Sequence, residues 1–175
     1  MIFNRRKREL VAGRPAVRPG LFPIDWLLEA IALVGLLSLA GFLIYHFPRL
    51  PETVPTHFNV SGAPDGYSSK NSFLMLPAMA LFIYILLGLI VFVPQQFNYS
   101  VKITPANALK QYTFAIRLVR YLKAVIVWIF FYITYATVRV VAKTDQSLGL
   151  WFLPVVLAGI FVPLIIYLIV SFKHR

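Results

Sequence analysis

One polar segment between two apolar stretches holds the residues best suited to chemistry. His57, Asn59 and Asp65 could hold a divalent cation or a polar ligand, because imidazole and carboxylate groups are ordinary metal ligands. One imidazole and one carboxylate make a small ligand set. The residue types favour another use, in which Asp65 lies in a turn and Asn59 bridges backbone groups of the loop. Lys70 could supply a catalytic amine, although an interfacial charge or a partner for Asp65 explains it better. We therefore predict no metal site here.

Glu29 is the only acid well inside an apolar stretch. Acids buried in a membrane carry protons or bind cations in pumps and transporters. An ion pair with Arg120 or Lys123, or snorkelling to the headgroups, costs less free energy. A transporter also needs several polar groups near the middle of the membrane, and these stretches offer few. We predict that Glu29 is a membrane-buried acid that either pairs with Arg120 or Lys123 or reaches the headgroups.

The sequence lacks the sets of residues that form the common catalytic sites. It has no cysteine, which excludes thiol catalysis and thiolate metal sites. A Ser-His-Asp set, a phosphate-binding loop, a metal-binding helix motif and paired carboxylates are missing as well. We expect a protein that is not an enzyme and needs no cofactor.

The elements that must position these residues are apolar helices. Of the 175 residues, 59% are hydrophobic and 13% are charged, which suits a bundle surrounded by lipid. Four apolar stretches are long enough, at about 1.5 Å per helical residue, to cross about 30 Å of hydrocarbon. We predict an all-α integral membrane protein with four transmembrane helices and a small ordered, hairpin-like loop between helices 1 and 2. The predicted spans are 26–47, 73–93, 121–142 and 148–172, within a membrane domain of residues 25–175.

Three segments lie outside these spans: a basic arm (1–24), a polar loop (48–72) and a mixed segment (95–120) that suits a helix at the headgroups. Asp25 is a candidate N-cap of the first helix, and Thr104-Pro105 is typical of a helix start. The third span either follows a bend after this interfacial helix or continues it as one rod. In the polar loop, residues 56–60 favour a strand, and Pro64-Asp65-Gly66 has the residue types of a tight turn.

Positive charge is distributed unequally between the two sides of the predicted membrane domain. The net charge is +11, and thirteen Lys and Arg lie in the arm, in residues 102–123 and at the C-terminal end, against four on the other side. The positive-inside rule therefore predicts a multi-pass protein of the cell membrane with both termini in the cytoplasm and residues 48–72 outside. The bilayer is the first partner, with anionic lipid headgroups at the basic arm. No basic groove with stacking aromatics points to nucleic acid.

The polar loop resembles a bacterial and archaeal membrane domain of unknown function, which forms the N-terminal part of SdpI-type toxin-immunity proteins. The resemblance covers about residues 26–95 and depends on a proline-spaced run, an HFN triplet, a Gly-x-Pro-Asp-Gly-Tyr motif and a lysine between two helices. The matching residues are Pro51, Pro55, His57, Phe58, Asn59, Gly62, Pro64, Asp65, Gly66, Tyr67 and Lys70.

The resemblance implies a non-enzymatic protein whose outer loop binds a peptide or another membrane protein, in an immunity or signalling role. SdpI-type proteins neutralise a secreted toxic peptide and hold a repressor at the membrane. They also carry a second region with an Arg-Thr-Pro-Trp-type signature, which residues 96–175 do not match. An accessory subunit of a larger membrane complex is the alternative function, and a small transporter is the third. The expected binding residues are His57, Phe58, Asn59, Pro64, Asp65, Gly66, Tyr67 and Lys70.

Overall fold

The computed structural model describes residues 10, 11 and 13–175. Within this part of the chain, four helices are long and apolar enough to cross a membrane, and a β-hairpin lies between the first two. This confirms the predicted fold class. The helices are α1 (Pro23–His46), α2 (Met75–Ile90, extended backwards by a 3-10 helix over Lys70–Leu74), α3 (Ala108–Val141) and α4 (Phe152–Lys173). The strands are β1 (Leu10–Val11), β2 (Arg14–Pro15), β3 (Thr53–Phe58) and β4 (Pro64–Ser69).

Helix α3 is the central element, and α1, α2 and α4 all pack against it. The sequence left open whether the interfacial segment and the third span are separated by a bend. The structure shows one continuous helix of 34 residues, which is about 51 Å long at 1.5 Å per residue. Because the hydrocarbon layer is only about 30 Å thick, roughly 20 Å of this helix extends beyond it.

Three helices begin elsewhere than predicted, each for a local reason. Phe22, not Asp25, is the N-cap of α1, because Pro23 lacks an N–H and its fixed φ suits the first helical position. Asp25 is the third helical residue, and its carboxylate accepts the Phe22 N–H at 2.9 Å. Helix α3 is regular only from Ala108, after a turn that begins at Thr104. Helix α4 begins at Phe152 rather than at residue 148, since the intervening Gly149 has a left-handed φ of +89°.

The part of the basic arm that the structure describes is docked on the rest of the chain. Residues 1–9 and 12 of the arm predicted over 1–24 lie outside the described residues. The Arg14 guanidinium donates to the backbone oxygens of Gln95 (3.0 Å) and Phe97 (2.5 Å). The Tyr112 hydroxyl on α3 donates to the Pro15 oxygen at 3.2 Å. These long-range bonds hold the described part of the arm in place.

Two ends of the bundle are named from here on. The hairpin end carries β3 and β4 together with the loop between α3 and α4, whose Leu148 N–H donates to the Gly62 oxygen. The arm end carries residues 13–22, the start of α1 and the last turn of α4, where Gln111 of α3 bonds Ser171.

Candidate functional site

The hairpin turn lies earlier in the chain than the sequence indicated. Residues 64–66 were predicted as the tight turn, but they belong to strand β4. The turn is formed by residues 59–63, where the Asn59 side chain accepts the N–H groups of Ser61 (3.0 Å) and Ala63 (3.1 Å). Gly62 supplies the left-handed backbone that closes the turn, with φ of +79°. An asparagine that bonds the backbone two residues ahead is a common way to start a turn.

His57 and Asp65 are brought together on the hairpin. The Nδ1 atom of His57 lies 2.5 Å from Oδ1 of Asp65, and 71% of the His57 side chain is exposed. His57 pairs with Gly66 across the hairpin, next to a bulge between Pro55 and His57. A Cβ atom on Gly66 would lie only 2.9 Å from the Cβ of His57. Glycine at position 66 therefore makes room for the histidine.

Lys70 does not pair with Asp65, which was one of the two roles predicted for it. Its Nζ lies 2.9 Å from a carboxylate oxygen of Glu52. The reason is the register of the hairpin. The Lys70 N–H donates to the Glu52 oxygen at the base, whereas Asp65 lies near the tip beside His57. The structure thus separates Lys70 from the other predicted binding residues.

The remaining predicted binding residues divide between an exposed and a half-buried set. Tyr67 is 60% exposed and lies opposite Pro55. Phe58 and Pro64 pair with each other next to the turn and are half-buried. The exposed polar side of the hairpin therefore consists mainly of His57, Asp65 and Tyr67.

The hairpin is attached to the bundle at both of its ends. At its base, Val54 and Phe73 are fully buried in a small core with Leu50 and Val138 of α3. At its tip, the Gly62 oxygen accepts the Leu148 N–H at 2.8 Å. Two separate attachments hold its exposed side in one orientation relative to the helices.

A second cluster, of opposed charges, lies at the arm end. The carboxylate of Asp25, only 1% exposed, contacts Arg117 and Arg120, in each case at 3.2 Å. Glu29 contacts the Nε of Arg120 at 3.1 Å and also the ammonium of Lys123. Pairing with Arg120 or Lys123 was one of the two roles predicted for Glu29, and the structure places both basic residues against it. Arg120 thus bridges the two acids.

The role of Asp25 and Arg117 in this cluster was missed from the sequence. A signal was present, because Arg117, Arg120 and Lys123 recur every three residues and so lie along one side of α3. Asp25 and Glu29, four residues apart, lie likewise on one side of α1. Among the residues that the structure describes, no three His, Asp or Glu side chains come close enough to hold a metal ion.

The family model that matches this chain covers the segment that contains the hairpin. Residues 33–81, from within α1 to within α2, match the family model described as a domain of unknown function, DUF1648. An uncharacterized protein of Archaeoglobus fulgidus is 39% identical over 54 residues, which are 29% of this chain and 30% of that relative. No solved structure matches the chain. The segment that contains the hairpin is therefore similar to a domain family without an assigned function, in keeping with the resemblance drawn from its motif.

Proposed function

We propose that this chain is a non-enzymatic membrane protein whose hairpin recognises a peptide or another membrane protein, in an SdpI-like immunity or signalling role. The observation that carries the proposal is the double attachment of the hairpin to the bundle. A surface held in one orientation loses little conformational entropy on binding. The side chains that it presents, His57, Asp65 and Tyr67, combine one aromatic ring with donors and acceptors of hydrogen bonds.

The proposal places the hairpin outside the cytoplasm. Its support is the charge asymmetry: Arg117, Arg120 and Lys123 belong to the arm end, and the hairpin lies at the other end of the bundle. Because the chain has no cysteine, single cysteines report orientation directly. A membrane-impermeant maleimide should label Val60→Cys in intact cells, since Val60 is 87% exposed at the hairpin turn. Lys102→Cys should react only after lysis, and the reverse pattern would invert the topology.

The recognition role is tested by substitution on the exposed side of the hairpin. Sensitive cells that express this chain alone should survive the toxic peptide fraction that is secreted by the organism in which the chain occurs. Tyr67→Ala should abolish this protection, because it removes the largest exposed ring of the hairpin. Trp151→Ala is the matched control: Trp151 is 79% exposed near the same end but lies outside the hairpin. Equal survival of both variants, or no protection by the wild type, would contradict the proposal.

The accessory-subunit alternative is favoured by one observation. Helix α4 packs mainly on α3, and none of the side chains in its most apolar stretch is buried. A neighbouring chain would bury this helix, although lipid covers it equally well. Against this alternative, Arg14 and Pro15 of the arm already contact their own chain.

Mass spectrometry after purification in a mild detergent separates the two functions. Other membrane proteins that copurify at fixed stoichiometry, and remain with Tyr67→Ala, would favour the subunit. A chain that purifies alone, or with a partner that Tyr67→Ala releases, would favour recognition by the hairpin.

A further inference from the structure

A cleft at the arm end has the chemistry of a site for an amphipathic anion. It has a volume of about 620 Å³, within the range of small-molecule sites, about 300 to 1,000 Å³. Helices α1, α2 and α3 line it together with Arg18 of the arm. The hairpin takes no part in it, so this site is independent of the function proposed above.

The charges that line the cleft are unequal in number. Three cations line it, Arg18, Arg120 and Lys123, against two carboxylates, Asp25 and Glu29. Both carboxylates already contact basic partners, and Asp25 contacts Arg117 in addition to Arg120. The cluster therefore keeps a net positive charge. The cation in excess, Arg18, is exposed, so it is accessible to an anion that enters the cleft.

The rim of the cleft is apolar and exposed. Trp26 on α1, Leu89 on α2 and Phe92, two residues after α2, are each more than 60% exposed. Trp26 lies at the beginning of an apolar span, the depth at which tryptophans contact lipid headgroups. Ligand atoms next to Leu89 and Phe92 would contact apolar side chains, while those next to Arg120 and Lys123 would meet positive charge. A phospholipid has this division, whereas free phosphate would leave the rim without a partner.

We propose that this cleft binds the phosphate of an anionic membrane phospholipid, with Arg18, Arg120 and Lys123 facing the headgroup and the acyl chains lying along α1 and α2. The Lys123 ammonium also lies 4.8 Å from the centre of the Tyr84 ring, which helps to hold it inside the cleft. The lipid would bridge α1 and α2 at the end where their helices reach the headgroups.

Two variants test the site by different means. Arg18→Gln removes a cation that is exposed and that lines the cleft. Gly88→Leu leaves every charge in place and fills the cleft, because a Cβ atom at Gly88 faces Lys123 Nζ at 3.9 Å without a clash. Lys110→Gln is the control for charge, an exposed lysine at the same end outside the cleft. Gly41→Leu is the control for added bulk, since nothing lies within 4 Å of its Cβ position.

Native mass spectrometry of the purified chain, titrated with dioleoylphosphatidylglycerol, dioleoylphosphatidylcholine or inorganic phosphate, provides the measurement. We expect one phosphatidylglycerol per chain, bound in preference to phosphatidylcholine. Arg18→Gln should bind it about fivefold more weakly. Gly88→Leu should lose it, and both controls should match the wild type. If circular dichroism shows that Gly88→Leu is misfolded, the comparison of phosphatidylglycerol binding by Arg18→Gln and Lys110→Gln tests the site.

Three results would overturn the proposal. Equal retention of lipid by Arg18→Gln and Lys110→Gln would place the lipid elsewhere on the chain. Competition by inorganic phosphate at equal concentration would show that the acyl chains add nothing. Equal affinity for phosphatidylcholine would show that the net charge of the cleft does not select the ligand.

Discussion

Replacing Gly62 by alanine tests how the hairpin tip is held on the bundle. Gly62 has a φ of +79°, and an added Cβ would lie 3.3 Å from the backbone N and O of Gly149. A left-handed backbone costs a residue with a Cβ about 1–2 kcal/mol. The tight contact with Gly149 adds to this cost, because a backbone neighbour moves less readily than a side chain. We expect the docked tip to lose at least about 1–2 kcal/mol.

Hydrogen exchange at the Leu148 amide reports this loss directly. This amide donates to the Gly62 oxygen at 2.8 Å, so it exchanges when the tip leaves the loop between α3 and α4. A loss of about 1–2 kcal/mol corresponds to about 5- to 30-fold faster exchange. Val60→Ala is the control in the same turn, since Val60 is 87% exposed. It should leave the exchange of Leu148 unchanged.

Either of two results would refute this reasoning. Unchanged exchange at Leu148 in Gly62→Ala would show that the tip is not docked through Gly62. Equally faster exchange at Val54 and Phe73, in the buried core at the base, would show that the hairpin opens as one unit. In that case the tip would not be a separate attachment.

Two further predictions concern charged residues of α3 and the loop that follows it. Arg120→Met should destabilise the chain by about 1.5–3 kcal/mol in unfolding by SDS, because Asp25 and Glu29 each lose one of their two basic partners, while Lys110→Met should have little effect. Arg139 bonds Asp145 at 2.5 Å, and this bond lowers the pKa of Asp145. The stability from this pair should be present at neutral pH and lost as the pH falls through the lowered pKa, below about 3.8. Thermal melts of Asp145→Asn against wild type should therefore converge at acid pH.

A specific result would contradict each of these two predictions. Equal stability of the Arg120→Met and Lys110→Met variants would mean that Arg117 and Lys123 alone are sufficient partners for the two acids. A difference between Asp145→Asn and wild type that is the same at neutral and at acid pH would assign the effect to something other than the charge of Asp145.

The helices could be predicted from composition because each crosses the same apolar layer. A span needs about 20 apolar residues whatever its neighbours are, so the four-helix class was predictable. The exact helix starts were not. Pro23 placed the N-cap at Phe22, and the left-handed Gly149 delayed the start of α4. Both effects depend on single backbone conformations, to which residue preferences point only weakly.

The candidate site shows the same division between residue type and contact. Residue types identified the hairpin as the polar, ordered segment, and its motif named most of the residues that the hairpin presents. Residue types did not locate the turn, because Asn59 and Pro64-Asp65-Gly66 are both typical of tight turns. Register decided this, because pairing Thr53 with Ser69 puts Asp65 in a strand beside His57. The same register brings Lys70 close to Glu52, with which it forms an ion pair.

By itself, the sequence determined what depends on how residues divide between water and lipid: four apolar helices, a polar hairpin segment and an excess of positive charge on one side. Tertiary structure alone decided which groups meet. Three features join residues that are distant in the chain: the docking of Gly62 on the loop before α4, the contact of Asp25 with Arg117 and the cleft at the arm end. Periodicity indicates which side of a helix is polar, but only packing determines which helix that side faces.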